Sequence, residues 1–203
     1  MGTVLIFGTY LGLLGYIFAV LTRTNRATPI ERHSQNRGLA VASLLAASAA
    51  ILQAAPVYLP GVGMALSPLS SIPIIVGTLL FREMALPMFL TSGALLFIAS
   101  LEEAVIFLLA TGPLGVSVAF FAASDMPLWQ RLLFPAVLLT SGIALLTFSV
   151  GLPGLQSIVS HISVSAFVGI FLFSLAYTSL FLGIAHMLQK RTALYLDTGI
   201  SAK

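Results

Sequence analysis

The chain has 203 residues, 59% of them hydrophobic and only 7% charged. A soluble domain carries about 25% charged residues. Most of this surface is therefore not built for water, and the chain reads as an all-α integral membrane protein with no room for a soluble catalytic domain. The net charge of +3 comes without a basic run interleaved with aromatics, which argues against nucleic acid as a partner, and the lack of cysteine excludes disulfides, thiolate metal sites and cysteine nucleophiles.

A bilayer crossing takes about 20 apolar residues. Charges and turn signals divide the chain into seven predicted spans, at 3–22, 38–56, 68–81, 84–101, 103–124, 131–150 and 163–189. The expected organisation is an N-terminal transmembrane helix (1–22), a basic loop (23–37), a six-helix bundle core (38–190) and a short tail (191–203). Thr3 to Leu21 has no positive residue before it and Arg23 and Arg26 after it. Those flanks are the reverse of a secretory signal, so the segment reads as a retained membrane helix, set apart from the rest by the polar loop. Its Gly8 and Gly12 match GxxxG, with Gly15 beyond, and permit close helix approach, either in the bundle or in a dimer.

The second span carries Ala42, Ala46, Ala50 and Ala54 at i+4 spacing, widened by Ser43 and Ala47. Residues four apart share one helix face. In lipid, helices associate through close backbone approach, so this smooth stripe is either a docking surface for a partner or an internal packing seam. Pro56, Tyr58, Pro60, Gly61, Gly63 and Pro68 follow. Proline fixes φ and glycine permits tight turns, so residues 56–67 form a shaped connection, read as a lid over a cavity or as a short hairpin link. Gln53, Tyr58 and Met64 are candidate pocket residues near this end, though helix packing explains Gln53 equally well. Only Arg82 and Glu83 separate the third and fourth spans, so 68–101 could also be one broken hairpin.

Glu102 and Glu103 sit at a junction between two apolar segments. Adjacent helical residues point about 100° apart, so one carboxylate can face a cavity while the other reaches water. They are candidate ligand or proton groups, against the plainer reading of a solvated turn. Thr111-Gly112-Pro113-Leu114-Gly115 interrupts the fifth span. Pro113 has no N–H to donate, so carbonyls are freed at membrane depth and need other partners. Thr111 is thus a candidate contact in an unwound segment, the alternative being a proline kink packed on Thr91, Ser92 and Gly93. His161 and His186 have no second ligand at metal spacing, and Trp129 and Tyr195 suit interfacial anchoring. No metal and no cofactor are expected.

Positive charge predicts orientation. With the N-terminus outside and the C-terminus inside the cell membrane, the inner segments hold Arg23, Arg26, Arg32, Arg37, Arg82, Arg131, Lys190, Arg191 and Lys203, which are all nine basic residues. The outer segments 57–67, 101–103 and 151–162 hold none. No inverted repeat relates the halves, which weighs against the commonest secondary-transporter architectures.

An alanine-stripe helix starting inside, an outer proline-glycine loop, "SSIPIIVGTLLF" and six spans with both ends inside resemble the substrate-binding S components of energy-coupling factor vitamin transporters. The resemblance covers about residues 38–190 and implies a six-helix fold, bacterial vitamin uptake, and docking through Ala42, Ala46 and Ala50 on a transmembrane coupling subunit. It also implies partner ATPase subunits, because no GxxxxGK[ST] occurs here. Two features depart from that family: the additional N-terminal helix, and "REMALPMF" after Phe81, where many members have a glycine-proline turn. Glu102-Glu103 is similar to the glutamate pair of membrane CAAX-type proteases, but "AVIFLL" follows without the required arginine, and no HExxH or GxSxG is present. The expectation is therefore a non-enzymatic, membrane-embedded solute-binding subunit of an importer, with a small molecule such as a vitamin held by Gln53, Tyr58, Met64, Glu102, Glu103 and Thr111. The alternatives are a self-contained lipid or small-molecule transporter and a structural or regulatory membrane protein.

Overall fold

A computed structural model describes residues 2–23, 32–147 and 164–200, with side chains described for 6–21, 38–147 and 165–191. Every regular element among these residues is helical. In chain order they are α1 (Gly2–Arg23), α2 (Arg32–Tyr58), α3 (Val62–Leu66), α4 (Ser71–Leu80), α5 (Ala85–Ala99), α6 (Leu101–Ile106), α7 (Gly112–Ala122), α8 (Leu128–Leu145) and α9 (Val164–Ile200). Short 3-10 turns at Ser67–Ser70 and Arg82–Met84 join α3 to α4 and lead into α5, and a π-helical turn, Phe107–Thr111, joins α6 to α7.

Six helical stretches are long and apolar enough to cross a membrane: Gly38–Tyr58, Val62–Leu80, Arg82–Ala99, Leu101–Ala122, Leu128–Leu145 and Ser165–Arg191. They fit a multi-pass membrane protein. Ile6–Leu21 of α1 is a shorter apolar helix. The segment 68–101 is two helices rather than one broken hairpin. Phe81 leaves the helical region at φ −138°, ψ 78°, which ends α4, and Met84 N–H bonds back to Phe81 O at 2.9 Å to start the return.

The chain closes around α6–α7. This is the most buried of the six spans, nearly three quarters inside the protein, and α9 is the least. A span with protein on all sides needs apolar or small residues all round, and Gly112 to Ala119 supplies both. One core cluster joins Ile17 and Leu21 of α1 to Ala46, Met88, Phe89 and Phe107. Phe89 bridges Phe18 and Phe107, with ring centroids 5.6 and 5.8 Å apart. The other cluster joins Leu114 and Val118 to Phe181, Leu182 and Ala185 of α9. The N-terminal helix is therefore not set apart in space. Tyr10, Ile17 and Leu21 are core residues, whereas Gly8, Gly12 and Gly15 lie on its exposed face with nothing within 4 Å of an added Cβ.

The alanine stripe packs inside the chain at Ala42, Ala46 and Ala50. Their exposures are 3%, 0% and 7%, and Ala54 is also buried. Ser92 of α5 donates to Ala46 O at 3.0 Å across this seam. That bond needs a residue as small as alanine, because a longer side chain would hold α5 away from the α2 backbone. Ser43, expected to widen the stripe, is exposed and bonds its own helix at Leu39 O.

The connection 56–67 is short and mostly helical. Pro56 lies inside the last turn of α2, and helix resumes at Val62. The connection between them is a tight turn at Gly61, whose φ of +86° is the one positive value among the described residues. That conformation strains an L side chain and is open to glycine. Gly63 then lies so close to the backbone of Ala55 and Pro56 that no Cβ would fit.

Candidate functional site

Ser67-Pro68-Leu69-Ser70-Ser71 places three hydroxyls at the start of an apolar span. The 3-10 turn brings two of them, Ser67 and Ser70, against the side chain of Gln53 on α2. Gln53 is fully buried and uses its whole amide. Its Nε2 donates to Ser67 Oγ at 2.9 Å and to Glu103 Oε2 at 2.8 Å. Its Oε1 accepts from Ser70 Oγ at 2.8 Å and from Thr111 Oγ1 at 2.7 Å. With Glu103 as a carboxylate, which only accepts, the amide nitrogen faces it, and this orients the whole set. An unpaired polar group at this depth would cost several kcal/mol by solvation alone, so full pairing is what makes the cluster tolerable.

Glu103 arrives by helix capping. Ser100 is extended, at φ −164°, ψ 122°, and its Oγ accepts the Glu103 N–H at 3.4 Å. Ser-x-x-Glu is a capping-box pattern. Here the Glu103 side chain leaves the box and turns inward to Gln53. Its neighbour Glu102 is exposed.

Thr111 is presented by the π-turn, so the expected unwound segment is instead a widened helix. Gly112 N–H bonds Phe107 O, five residues back. Pro113 has no N–H for the carbonyls of Leu108 or Leu109, five and four residues earlier. Other helices approach both. Tyr10 of α1 donates to Leu108 O at 2.7 Å, and Gly142 of α8 lets its backbone lie directly against Leu109 O. Ser71 of α4 donates to Thr111 O at 2.8 Å. Of Thr91, Ser92 and Gly93, named in the alternative reading, Gly93 receives the Leu108 side chain.

Beside this network lies a partly open cleft of about 380 Å³. Glu102, Glu103, Ser67 and Thr111 form its polar wall, and Pro56, Met64, Ile106, Leu139, Ile143, Phe173 and Tyr177 are among its apolar residues. The volume falls at the lower end of small-molecule pockets, about 300–1,000 Å³. Phe173 and Tyr177 stack at 5.5 Å with their planes 22° apart, and the Tyr177 hydroxyl donates to Pro68 O at 3.3 Å.

Of the six predicted ligand residues, Met64, Glu102, Glu103 and Thr111 line this cleft, and Gln53 lies behind its wall. Tyr58 does not join them. It is 68% exposed and borders a separate apolar groove with Ala50, Ala54 and Leu95. The helix continues through Pro56, and five residues on from Gln53 the Tyr58 side chain emerges on another face. The partners Ser67, Ser70, Phe173 and Tyr177 were not anticipated; the hydroxyl run after Met64 was the signal for the serines, whereas nothing local marks the α9 aromatics.

His186 meets Arg131 at 3.4 Å near the far end of the bundle, and Arg131 Nε donates to Met126 O at 2.6 Å. His161 lies outside the described residues, and so does the side chain of Tyr195. Among the described residues no group of three His, Cys, Asp or Glu could hold a metal ion. No family model, curated protein or solved structure matches this chain.

Proposed function

We propose that this chain binds a small amphipathic solute in the cleft beside Glu103 and serves as the membrane-embedded solute-binding subunit of a transport system. The observation that carries this reading is a cleft whose buried carboxylate and hydroxyls are held in place by one saturated amide, Gln53, while the opposite wall is apolar. A site of that kind orients a polar head and accommodates an apolar body. With α1 as a seventh crossing and the N-terminus outside, the cleft faces the outer half of the cell membrane and the basic residues face the cytoplasm. The resemblance to S components makes an ATP-driven importer the leading context, with coupling and ATPase subunits supplied by other chains. Such a coupling subunit would dock on a face other than the alanine stripe, which α5 occupies.

Native mass spectrometry of gently solubilised protein tests the reading. A co-purified small molecule that is lost on Glu103→Gln supports it. Protein that carries no small molecule from any mild detergent, and takes up none from cell extract, refutes it. The burial of Ala42, Ala46 and Ala50 favours a second reading, a transporter that works without a coupling subunit. Uptake or flipping by the purified chain alone in liposomes would establish it.

A further inference from the structure

We propose, resting on the solute-binding reading above, that the cleft takes a singly cationic amphiphile: an ammonium group carried on an apolar body. Glu103 is more than nine-tenths buried and yet lines the cleft. Gln53 occupies its Oε2, and its Oε1 has no hydrogen-bond partner among the described residues. A buried carboxylate inside a membrane span is expensive, and such residues mark ligand or ion sites. Glu102 stands on the same wall, and among the described residues no Lys, Arg or His lines the cleft. The hydroxyls add acceptors rather than donors. The Thr111 proton is directed to Gln53, which leaves its lone pairs, and Ser67 alone keeps a proton to offer.

An anionic head would therefore face two like charges with one hydroxyl proton to receive it. An ammonium would meet the free oxygen of Glu103 in a charge-assisted hydrogen bond. The stacked rings of Phe173 and Tyr177 border the same space. Aromatic faces attract cations electrostatically and also pack against an apolar body, so one wall suits both parts of such a ligand.

Three isosteric probes separate the possibilities: 2-naphthylmethylamine, 2-naphthalenemethanol and 2-naphthoate. Each is titrated at neutral pH into the full chain in lipid nanodiscs, with empty nanodiscs subtracted. The expected result is amine binding about tenfold or more tighter than the alcohol, since a hydrogen bond to a charged group supplies that factor, with naphthoate weakest. Glu103→Gln should abolish the preference for amine over alcohol. Phe173→Leu, at a half-exposed position, should reduce it and gives a second readout if the Glu103 variant does not fold. Alcohol or naphthoate binding as tightly as amine would overturn the cationic class while leaving solute binding intact. Failure of all three probes to bind above empty nanodiscs would overturn both.

Discussion

Replacing Gln53 with leucine removes four hydrogen bonds at once and nearly preserves volume, so it isolates the polar network from packing. Three of the bonds join neutral partners, Ser67, Ser70 and Thr111, and the fourth joins the Glu103 carboxylate. Neutral hydrogen bonds between membrane helices average about 0.6 kcal/mol and in proteins generally about 1 kcal/mol. A bond to a charged group contributes about 1.5–3 kcal/mol. The sum is about 3–6 kcal/mol before relaxation. Ser70 and Thr111 can turn onto carbonyls of their own helix, as Thr140 does onto Ala136 O at 2.7 Å, and so recover part. A net loss of about 2–4 kcal/mol remains, a large share of a typical stability of about 5–15 kcal/mol. Denaturant unfolding in bicelles, followed by far-UV circular dichroism, measures it. Ser43→Ala, on the exposed face with a bond only to its own helix, is the control and should stay within about 0.5 kcal/mol of wild type. A double-mutant cycle of Gln53→Leu with Glu103→Gln should give a coupling of about 1 kcal/mol or more. A Gln53→Leu protein as stable as the control would refute the claim that this network holds α2, α4, α6 and α7 together.

Ala46→Leu should lower the melting temperature of the isolated chain, because overpacking the α2–α5 seam costs about 1–3 kcal/mol. An unchanged melt would return the stripe to the surface. Gly142→Ala should prevent stable folding, since its Cβ would collide with the backbone of Leu109, whereas Gly12→Ala meets open space and should be neutral by the same unfolding assay. Gly61→Ala, with no steric neighbour but φ at +86°, should cost about 1–2 kcal/mol from backbone strain alone. Met64→Ala should weaken retention of a co-purified solute and Tyr58→Ala should not, because only the methionine lines the cleft; equal effects would place the ligand elsewhere.

The spans were legible because lipid imposes a crude rule on length and polarity, and the apolar stretches Gly38–Tyr58 and Arg82–Ala99 follow it to within about two residues. The cleft was half legible. Glu102, Glu103 and Thr111 are conspicuous as polar residues in apolar surroundings, and that anomaly carries across any fold. Their partners on α9 were not legible, since Phe173 and Tyr177 look like any other lipid-facing aromatics until the helix order places them beside α8. The alanine stripe shows the limit from the other side. Spacing establishes that a face is smooth, but whether a neighbouring helix of the same chain or another protein covers it depends on where α5 returns. Tyr58 failed for a related reason: Pro56 sits in the last turn of α2 without ending it, and α3 folds back against that turn, so Tyr58 stays on the helix and emerges on another face.

Pro113 links these elements into one device. Its missing N–H takes a backbone donor away from the π-turn beside it, in the middle of the most buried span. Three other helices are drawn to this turn: α1 through Tyr10, α8 through Gly142 and α4 through Ser71. The same turn points the Thr111 hydroxyl at Gln53, and Gln53 holds Glu103. A regular helix over 107–113 would satisfy its own backbone and would give these helices no polar reason to meet there. The irregular backbone thus organises both the bundle and the polar wall of the cleft. It follows that Tyr10→Phe, though remote from the cleft, should loosen Thr111 as well as α1; faster hydrogen exchange at α1 with no change at 107–114 would show that the two are not joined.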